Sequence, residues 1–248
     1  MQLENAKIII TGGASGFGYH LALGLSTKAA HIFVLDVNEE QLSKNEYAAN
    51  ITTITCDLTL PDEVEKTVSS IFNDHGGANV LINNAGIIHN EPLINLLQRP
   101  DKKHSISNWK KVIDVNLNAV FYMTACVSEQ LVTKKSAGVI INISSIAAHG
   151  NIGQSAYSAT KAAVEALAKT WSKELGMFKI RCASIAPGFF DTSSTRSSLN
   201  EHMLAKWKKS VPTNTLGNPD ELMMAVEFII QNEYYNGKTL SLDGGLTL

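Results

Sequence analysis

Cysteine is scarce in this chain of 248 residues, which contains only Cys56, Cys126 and Cys182. The number is odd and the three lie far apart, so they form neither a disulfide framework nor the spacing of a cysteine zinc site. We expect reduced, mostly buried thiols and no metal centre. The expected location is a reducing compartment, the cytoplasm.

An excess of one charge and a long apolar run are also missing. The formal net charge is -2 with both signs spread along the chain, so no basic stripe can neutralise a nucleic-acid backbone. The run Ile8 to Ile10 is far too short to cross a bilayer, and no signal-peptide cleavage pattern follows it. We expect a soluble protein that binds neither nucleic acid nor membrane.

The chain does contain a regular alternation of short β-branched runs with longer amphipathic stretches. Most of the runs are apolar throughout, which is typical of parallel strands buried on both faces. No repeat, linker or low-complexity block interrupts the alternation. The sequence therefore predicts a single-domain α/β fold with a doubly wound sheet. The candidate strands cover residues 7–11, 31–36, 51–57, 79–83, 138–145, 180–185 and 238–243.

Prolines and two irregular stretches mark the remaining boundaries. Pro61 and Pro219 each precede two acidic residues, an arrangement that favours the first turn of a helix. Residues 87–107 have few periodic apolar positions, which predicts a long loop inserted on the substrate side. Residues 189–210 are rich in Ser, Thr and Lys, which predicts a mobile, lid-like segment.

Tyr157 and Lys161 lie four residues apart, so a helix would place them on one face. A tyrosine titrates near about 10, and it exchanges a proton at neutral pH only where a cation favours the phenolate. Lys161 is a candidate for that cation. By itself the pair also fits two ordinary neighbours on a helix surface.

A glycine-rich segment, residues 11–18, joins the first predicted strand to the first predicted helix. Glycines there let the backbone turn tightly and approach a phosphate, with helix N-terminal amides facing a pyrophosphate. Asp36 ends the second strand, where a carboxylate accepts both hydroxyls of an adenosine ribose and repels a 2′-phosphate. Because Ala14, Ser15 and Val37 supply no cation, we expect NAD rather than NADP.

Two further strand ends carry polar or small residues. Asp57, after the third strand, is placed either to hydrogen-bond an adenine amino group or to form a turn before the next helix. Residues 83–86, Asn-Asn-Ala-Gly, offer small side chains and backbone amides where a cofactor would cross the sheet, or a simple turn.

These motifs together resemble the short-chain dehydrogenase/reductase family over nearly the whole chain. The resemblance rests on Thr-Gly-x-x-x-Gly-x-Gly at 11–18, Asn-Asn-Ala-Gly at 83–86, Asn116, Asn-Ile-Ser-Ser at 142–145, Tyr157-x-x-x-Lys161 and Pro187-Gly188, in the family's order. It implies a Rossmann-type fold with a seven-stranded parallel sheet, helices on both faces and a nicotinamide cofactor. It also implies a catalytic tetrad of Asn116, Ser145, Tyr157 and Lys161.

The resemblance implies a role for each of these residues. Tyr157 would act as general acid and base, and Lys161 would lower its pKa and bind the nicotinamide ribose. Asn116 would hold a water that relays protons, unless it is a structural asparagine that kinks a helix. Thr192 would bind the nicotinamide carboxamide, unless it forms a plain turn. The implied cofactor-binding set is Gly12, Ser15, Gly16, Phe17, Gly18, Asp36, Asp57, Leu58, Asn84, Ala85, Gly86, Tyr157, Lys161, Pro187, Gly188, Phe190 and Thr192; the substrate set is Ser145, Gln154 and Tyr157.

The catalytic serine needs a choice between two neighbours. The family's usual spacing to the tyrosine points to Ser144, whereas the Asn-Ile-Ser-Ser motif points to Ser145. Side chains alternate along a strand, so only one of the two faces the substrate. We favour Ser145, because a deletion in the loop that follows it would explain why its spacing to the tyrosine differs from the usual one.

Within the family, the insertion and the C-terminal run most resemble type 2 3-hydroxyacyl-CoA dehydrogenases, also known as 17β-hydroxysteroid dehydrogenases. Lys102, Lys103 and His104 would then meet a coenzyme A phosphate, unless they form a solvated loop. A generic alcohol dehydrogenase or 3-oxoacyl reductase shares every motif, and a catalytically silent NAD-sensing protein is the alternative of another class. Long apolar helical stretches at 119–132 and 159–175 indicate a homotetramer or homodimer.

Overall fold

Seven parallel strands form one sheet in the computed structural model, which describes residues 1–97, 101–192 and 201–247. The strand order is β3-β2-β1-β4-β5-β6-β7. β1 and β4 are therefore neighbours, with β2 and β3 on the side of β1 and β5 to β7 on the side of β4. This is the predicted doubly wound arrangement. The strands are Lys7–Thr11 (β1), His31–Asp36 (β2), Ile51–Thr55 (β3), Val80–Asn83 (β4), Gly138–Ile143 (β5), Ile180–Pro187 (β6) and Thr239–Leu242 (β7).

Helices connect these strands, and two of them begin at the predicted prolines. Pro61 begins α3, and Pro219 begins α8, where the Asn218 side chain accepts a hydrogen bond of 3.0 Å from the Asp220 amide. The described α-helices are Gly16–Ser26 (α1), Glu39–Lys44 (α2), Pro61–Asp74 (α3), Ile106–Ile113 (α4), Ala119–Thr133 (α5), Ser155–Glu174 (α6), Glu201–Ser210 (α7) and Pro219–Gln231 (α8). A π-helical segment, Asp114–Asn118, joins α4 to α5, and 3-10 turns occur at Leu3–Asn5, Ile146–His149 and Gly176–Phe178.

The core lies on both faces of the sheet because the strands are apolar throughout. In β1, Ile8 and Ile10 pack in one cluster with residues of α1 and α8, while Ile9 packs in the other with residues of α3 and α5. All three isoleucines are fully buried. A strand with this pattern gains hydrophobic stabilisation from both faces, which explains why no polar alternation appears in the sequence.

Three strand ends differ from the sequence-based expectation by two residues, and the remaining boundaries differ by one residue at most. β3 ends at Thr55 rather than at residue 57, and β5 ends at Ile143 rather than at residue 145. β6 continues to Pro187, two residues beyond its predicted end. At the first two ends the chain leaves the ladder early, so Asp57 and the two serines sit on loops at the carboxyl edge of the sheet.

The predicted insertion at 87–107 contains ordered pairing rather than an irregular loop. The His104 amide donates to the Leu93 carbonyl at 2.9 Å, and the Asn95 amide donates to the Lys102 carbonyl at 2.7 Å. Part of the lid-like segment predicted at 189–210, residues 193–200, lies outside the described residues. Across the described ranges, no helix is both long and apolar enough to cross a membrane.

Candidate active site

The site lies where the winding of the sheet reverses, at the carboxyl ends of the adjacent strands β1 and β4. The loops that follow two neighbouring strands diverge at such a point and leave a crevice, the usual place for a ligand in an open α/β sheet. Here the glycine-rich segment follows β1, and residues 84–86 follow β4. The structure therefore brings these two predicted cofactor elements together.

The glycines of the first loop serve different purposes. Gly12 has a positive φ of 64°, and a Cβ there would lie 2.7 Å from the Ala85 Cα, so both conformation and packing require glycine. A Cβ at Gly18 would collide with the Gly12 carbonyl oxygen. Gly16 has a φ of 53°, and a Cβ there would meet nothing within 4 Å. Gly16 thus marks the open side of the loop, where a phosphate has room.

Thr11 and Asn84 tie the glycine loop to the end of β4. The Asn84 Nδ2 donates to the carbonyl oxygens of Thr11 and Gly12, at 3.0 and 3.1 Å. The Thr11 hydroxyl accepts from the amides of Asn84 and Ala85, at 3.0 and 3.1 Å. Asn84 and Ala85 therefore shape the loop, and Thr11, whose side-chain role the sequence does not reveal, acts as its anchor.

The open side of this loop fits a pyrophosphate. Ser15 is the N-cap of α1, is exposed, and makes no side-chain hydrogen bond to the helix. Amides in a first helical turn lack intrahelical partners and carry the positive end of the helix dipole. Phe17, in the same turn, packs edge-on against Phe190 with the ring centroids 5.1 Å apart. This contact connects the loop to the end of β6.

Asp36 ends β2 beside the glycine loop, as predicted. Its Oδ2 accepts from the Ala14 amide and its Oδ1 from the Asn38 amide, both at 3.0 Å. The carboxylate is therefore held in place by backbone donors. A 2′-phosphate near this fixed negative charge would be repelled.

Asp57 forms a turn before the next helix, which was one of its two predicted roles. Its Oδ1 accepts from the Thr59 amide at 2.9 Å and from the Thr59 hydroxyl at 2.7 Å. Leu58 is buried next to it. The turn keeps both residues at the carboxyl end of β3, while an adenine contact stays a prediction.

The two serines after β5 face different neighbours. Ser144 is buried, and its hydroxyl lies 2.7 Å from the Glu165 Oε1 and 3.0 Å from the Lys161 carbonyl oxygen. The Ser145 hydroxyl lies beside Tyr157, where it lowers the pKa of the phenol, and it accepts a hydrogen bond of 3.1 Å from the Ala147 amide. The structure therefore brings Ser145, and not Ser144, to the phenol.

Tyr157 and Lys161 share one face of α6, and both are buried. Burial raises the pKa of Tyr157, and the hydrogen bond with Ser145 only partly opposes that rise. Lys161 is not among the causes of this shift, so its predicted lowering of the Tyr157 pKa stays a prediction. The Lys161 Nζ lies over the phenol ring, 5.6 Å from its centroid, and donates to the Ile143 carbonyl at 2.6 Å. Burial also lowers the pKa of Lys161 to about 8, so its amine is charged at pH 7.

Asn116 lies in the π-helical segment and reaches across to the chain after β4. Its Oδ1 accepts from the Ile87 amide at 2.8 Å, and its Nδ2 donates to the Ile87 carbonyl at 2.9 Å. A Cβ on Gly86 would lie 3.4 Å from this Oδ1 and 3.6 Å from the Lys161 Nζ. Asn116 thus has a structural role. Because Gly86 has no side chain, a small space remains between Asn116 and Lys161. Single π turns of this kind are frequent at functional sites.

The end of β6 closes the other side of the crevice. Pro187 is the last residue of β6, and a Cβ at Gly188 would lie 2.7 Å from the Asp243 Cα. The Thr192 amide donates to the Phe190 carbonyl at 3.1 Å, a tight backbone turn that does not involve the threonine hydroxyl. A contact from Thr192 to a carboxamide stays a prediction.

The substrate side is bordered by the insertion. The Gln154 Nε2 donates to the Asn90 Oδ1 at 2.7 Å, so this predicted substrate residue fastens the insertion to the start of α6. Lys102 and Lys103 are exposed, whereas His104 is 6% exposed and packs against Trp109. His104 therefore does not belong to a basic loop that could meet a phosphate.

The site as a whole brings a buried phenol together with a serine hydroxyl and a charged amine, at the same edge of the sheet as the glycine-rich segment. A phenol with these neighbours can give a proton to, or take one from, the oxygen of a ketone or alcohol. Hydride exchange at the adjacent carbon is the chemistry of a nicotinamide. The arrangement is therefore suited to reversible alcohol oxidation.

Comparisons with known proteins agree with this geometry. The family model for short chain dehydrogenases matches residues 6–203. The 3-oxoacyl-acyl-carrier-protein reductase FabG of Chlamydia muridarum (strain MoPn / Nigg) is 33% identical over 98% of both chains. Sorbitol-6-phosphate 2-dehydrogenase of Klebsiella pneumoniae is 30% identical over 100% of this chain and 98% of its own.

A solved structure described as a short chain dehydrogenase/reductase family protein matches with a TM-score of 0.85 and 26% identity, over 99% of this chain and 98% of the other. The sequence match and the structural match both extend over nearly the entire chain. The chain therefore belongs to the short-chain dehydrogenase/reductase family and is an oxidoreductase that acts on a secondary alcohol or the corresponding ketone.

Proposed function

We propose that the protein is an NAD-dependent oxidoreductase that interconverts a 3-oxoacyl thioester and its 3-hydroxyacyl form. The observation that carries the proposal is the position of the Ser145 hydroxyl beside Tyr157, with the Lys161 amine over the phenol ring. This arrangement supports proton exchange with a substrate oxygen. The nicotinamide supplies the hydride donor or acceptor when it is bound.

Tyr157 and Ser145 act directly on the substrate oxygen. Tyr157 donates its proton to the carbonyl oxygen in reduction and removes the hydroxyl proton in oxidation. The Ser145 hydroxyl donates a hydrogen bond to the same oxygen as charge develops. The Lys161 charge favours the phenolate once a substrate and cofactor exclude water, and Asn116 positions a water in the space at Gly86 for proton relay.

The preference for NAD rests on Asp36. Its carboxylate is fixed by the Ala14 and Asn38 amides at the end of β2. Ribose hydroxyls can donate to such an acceptor, whereas a 2′-phosphate places like charges together. Val37, the next residue, is 65% exposed and offers no compensating cation.

The acyl substrate class is supported by the side chains around the site. Apolar residues of the insertion and of the loop before α6 are exposed, including Ile88 at 67%, Leu93 at 69% and Ile152 at 98%. An acyl chain can cover such a surface, whereas a sugar phosphate gains little from it. The name of the Chlamydia relative favours a 3-oxoacyl reductase over the more specific 3-hydroxyacyl-CoA or hydroxysteroid dehydrogenase predicted from the sequence.

We also infer a cytoplasmic homotetramer or homodimer. Phe121 is 50% exposed on α5, in one of the two apolar stretches that predict association. Cys56 and Cys182 are buried, Cys126 is partly buried, and all three are free thiols. Light scattering of the purified protein will give the oligomeric state.

A substrate panel tests the proposed activity. We expect acetoacetyl-CoA and acetoacetyl-acyl-carrier protein to be reduced with NADH, and a hydroxysteroid, sorbitol 6-phosphate and simple secondary alcohols to react at least about 100-fold more slowly. Tyr157→Phe should abolish turnover, while Tyr234→Phe, at a fully exposed position, should not change it. A faster reaction of the sugar phosphate would reject the thioester proposal.

Binding without turnover would support the other class of function. If NADH binds tightly to the wild type and no substrate reacts, the chain is a catalytically silent NAD-sensing protein. A Tyr157→Phe variant with wild-type NADH affinity would then be expected to behave as the wild type does in every assay.

A further inference from the structure

Two histidines and a glutamate meet in the insertion, next to the start of α4. The His89 Nε2 lies 2.9 Å from the Glu91 Oε2, and the His104 Nε2 lies 3.8 Å from the same oxygen. Ligand atoms of all three side chains lie within 4.8 Å of one another. No other group of this kind occurs in the part of the chain that the structure describes.

The backbone of the insertion holds this cluster together. Pairing of the His104 amide with the Leu93 carbonyl, at 2.9 Å, folds the chain back so that His104 lies beside Glu91. The Glu91 Oε1 accepts from the Ser105 amide at 2.9 Å, and its Oε2 accepts from the Asn108 Nδ2 at 3.1 Å. Main-chain and side-chain donors therefore orient the carboxylate before any ligand binds.

Among the described residues, one ring nitrogen of His104 has a hydrogen-bond partner and the other does not. Its Nδ1 lies 3.0 Å from the Glu91 carbonyl oxygen, which can only accept, so Nδ1 carries the ring hydrogen. In the neutral ring the Nε2 then carries a lone pair. This Nε2 is buried and makes no hydrogen bond with the described residues, although it points toward the Glu91 carboxylate. A lone pair facing a carboxylate is unfavourable, and either a proton on Nε2 or a metal cation bound by both groups would relieve it.

We propose that His89, Glu91 and His104 bind one transition-metal ion, best matched by Zn²⁺. Two imidazole nitrogens and one carboxylate oxygen, with a fourth position left open, form a common zinc ligand set. Bonds of about 2.0–2.2 Å in a tetrahedral site place ligand atoms about 3.2–3.6 Å apart. That range lies between the two observed distances to the Glu91 oxygen, and the ligand atoms of the two histidines, within 4.8 Å of each other, would complete the site by a side-chain movement. Mg²⁺ and Ca²⁺ fit less well because they prefer oxygen ligands.

A cavity of about 280 Å³ gives access to the cluster from solvent. His89 and Asn108 line it, so both a metal ligand and a neighbour of the Glu91 carboxylate face this space. An ion can enter there and retain a water at its open position. Lys111 also lines the cavity, and its charge favours an anionic or hydroxide fourth ligand over a second cation.

The position of the cluster indicates a positioning role for the metal. The Glu91 amide donates to the Gly153 carbonyl at 2.7 Å, directly before the start of α6, which carries Tyr157. Two residues before His89, the Ile87 backbone is held by Asn116. A bound ion would therefore fasten the insertion to both parts of the active site without contacting the reacting atoms. We expect its loss to raise KM for the substrate more than it lowers kcat.

Cobalt binding tests the site independently of the enzyme reaction. Tag-free protein is treated with EDTA and titrated with Co²⁺, followed by visible absorption, and with Zn²⁺ in a calorimeter. One ion per chain with intense tetrahedral cobalt bands is expected, and Zn²⁺, but not Mg²⁺, should raise the Tm. His89→Gln and Glu91→Gln should weaken Zn²⁺ binding by about 100-fold.

His20→Gln is the matched control, because the His20 Nε2 also contacts a carboxylate, that of Asp220 at 2.8 Å, on the protein surface. It should bind Zn²⁺ as the wild type does. His89 is partly exposed, so its replacement should fold even if a His104 variant does not. Absence of stoichiometric Co²⁺ binding by the wild type, or unchanged binding by folded His89→Gln, would overturn the proposal and leave a protonated His104 paired with Glu91.

Discussion

The Lys161 ammonium donates a hydrogen bond of 2.6 Å to the carbonyl oxygen of Ile143, the last residue of β5. This bond joins α6 to the point where the chain leaves the sheet toward Ser144 and Ser145. It fixes the distance between the helix that carries Tyr157 and the loop that carries its serine partner. Together with the hydrogen bonds from Ser144 to Lys161 and Glu165, this contact holds the proton-transfer group in place.

The different surroundings of the two serines predict different mutant effects. Ser145→Ala removes the hydroxyl that contacts Tyr157 and should lower kcat by about 100-fold or more with little change in stability. Ser144→Ala removes a partner of Glu165 and should cost about 1 kcal/mol of unfolding free energy while kcat stays within a few-fold. Steady-state kinetics and urea denaturation measure both; the reverse pattern would assign catalysis to Ser144.

The buried amine of Lys161 predicts a pH-dependent stability. Its pKa falls from 10.5 to about 8 because of burial, so the unfolded chain binds more protons between these values and stability rises with pH across that window. Below pH 8 the buried charge costs up to about 3 kcal/mol, partly offset by the bond to Ile143. Lys161→Met should therefore be inactive but more stable than the wild type at pH 7.

Urea denaturation at several pH values checks this, and the stability advantage of Lys161→Met should shrink from pH 8 to pH 10. Lys169→Met, which removes an exposed lysine from the same helix, is the control. An advantage that stays constant over this range would show that burial does not lower the pKa of Lys161.

The space between Asn116 and Lys161 can be filled without strain. A Cβ at Gly86 would be in ordinary contact with both side chains, at 3.4 and 3.6 Å. Gly86→Ala should fold normally, yet it should lower kcat by about 10-fold if a relay water occupies this space. Gly176→Ala, whose Cβ meets nothing within 4 Å, is the control. NADH affinity is measured in parallel, because a loss of binding instead of kcat would argue that the alanine obstructs the cofactor.

The charge of Asp36 should decide the choice of cofactor. Asp36→Asn keeps an acceptor oxygen but removes the repulsion of a 2′-phosphate, so kcat/KM with NADPH should rise by about 10-fold relative to NADH. Glu39→Gln, an exposed charge at the start of α2, should leave the ratio unchanged. An unaltered ratio in Asp36→Asn, or a wild type that already prefers NADPH, would contradict the assignment.

Much of the fold follows from the sequence because its signals are local. Apolar runs buried on both faces, prolines at Pro61 and Pro219, and glycines that need positive φ or close packing identify the strands, two helix starts and the loop after β1. The spacing of Tyr157 and Lys161 predicts that they share a helix face. Each of these features depends on a few neighbouring residues, so a linear pattern is sufficient to find it.

Only the tertiary structure decided which side chains meet across the chain. It showed that Ser144 contacts Glu165 whereas Ser145 contacts Tyr157. It also showed that burial, rather than Lys161, dominates the pKa of Tyr157. It also brought His104 back to His89 and Glu91, although the sequence predicted no metal site. Contacts and desolvation depend on how distant segments pack, and no spacing within one segment records that packing.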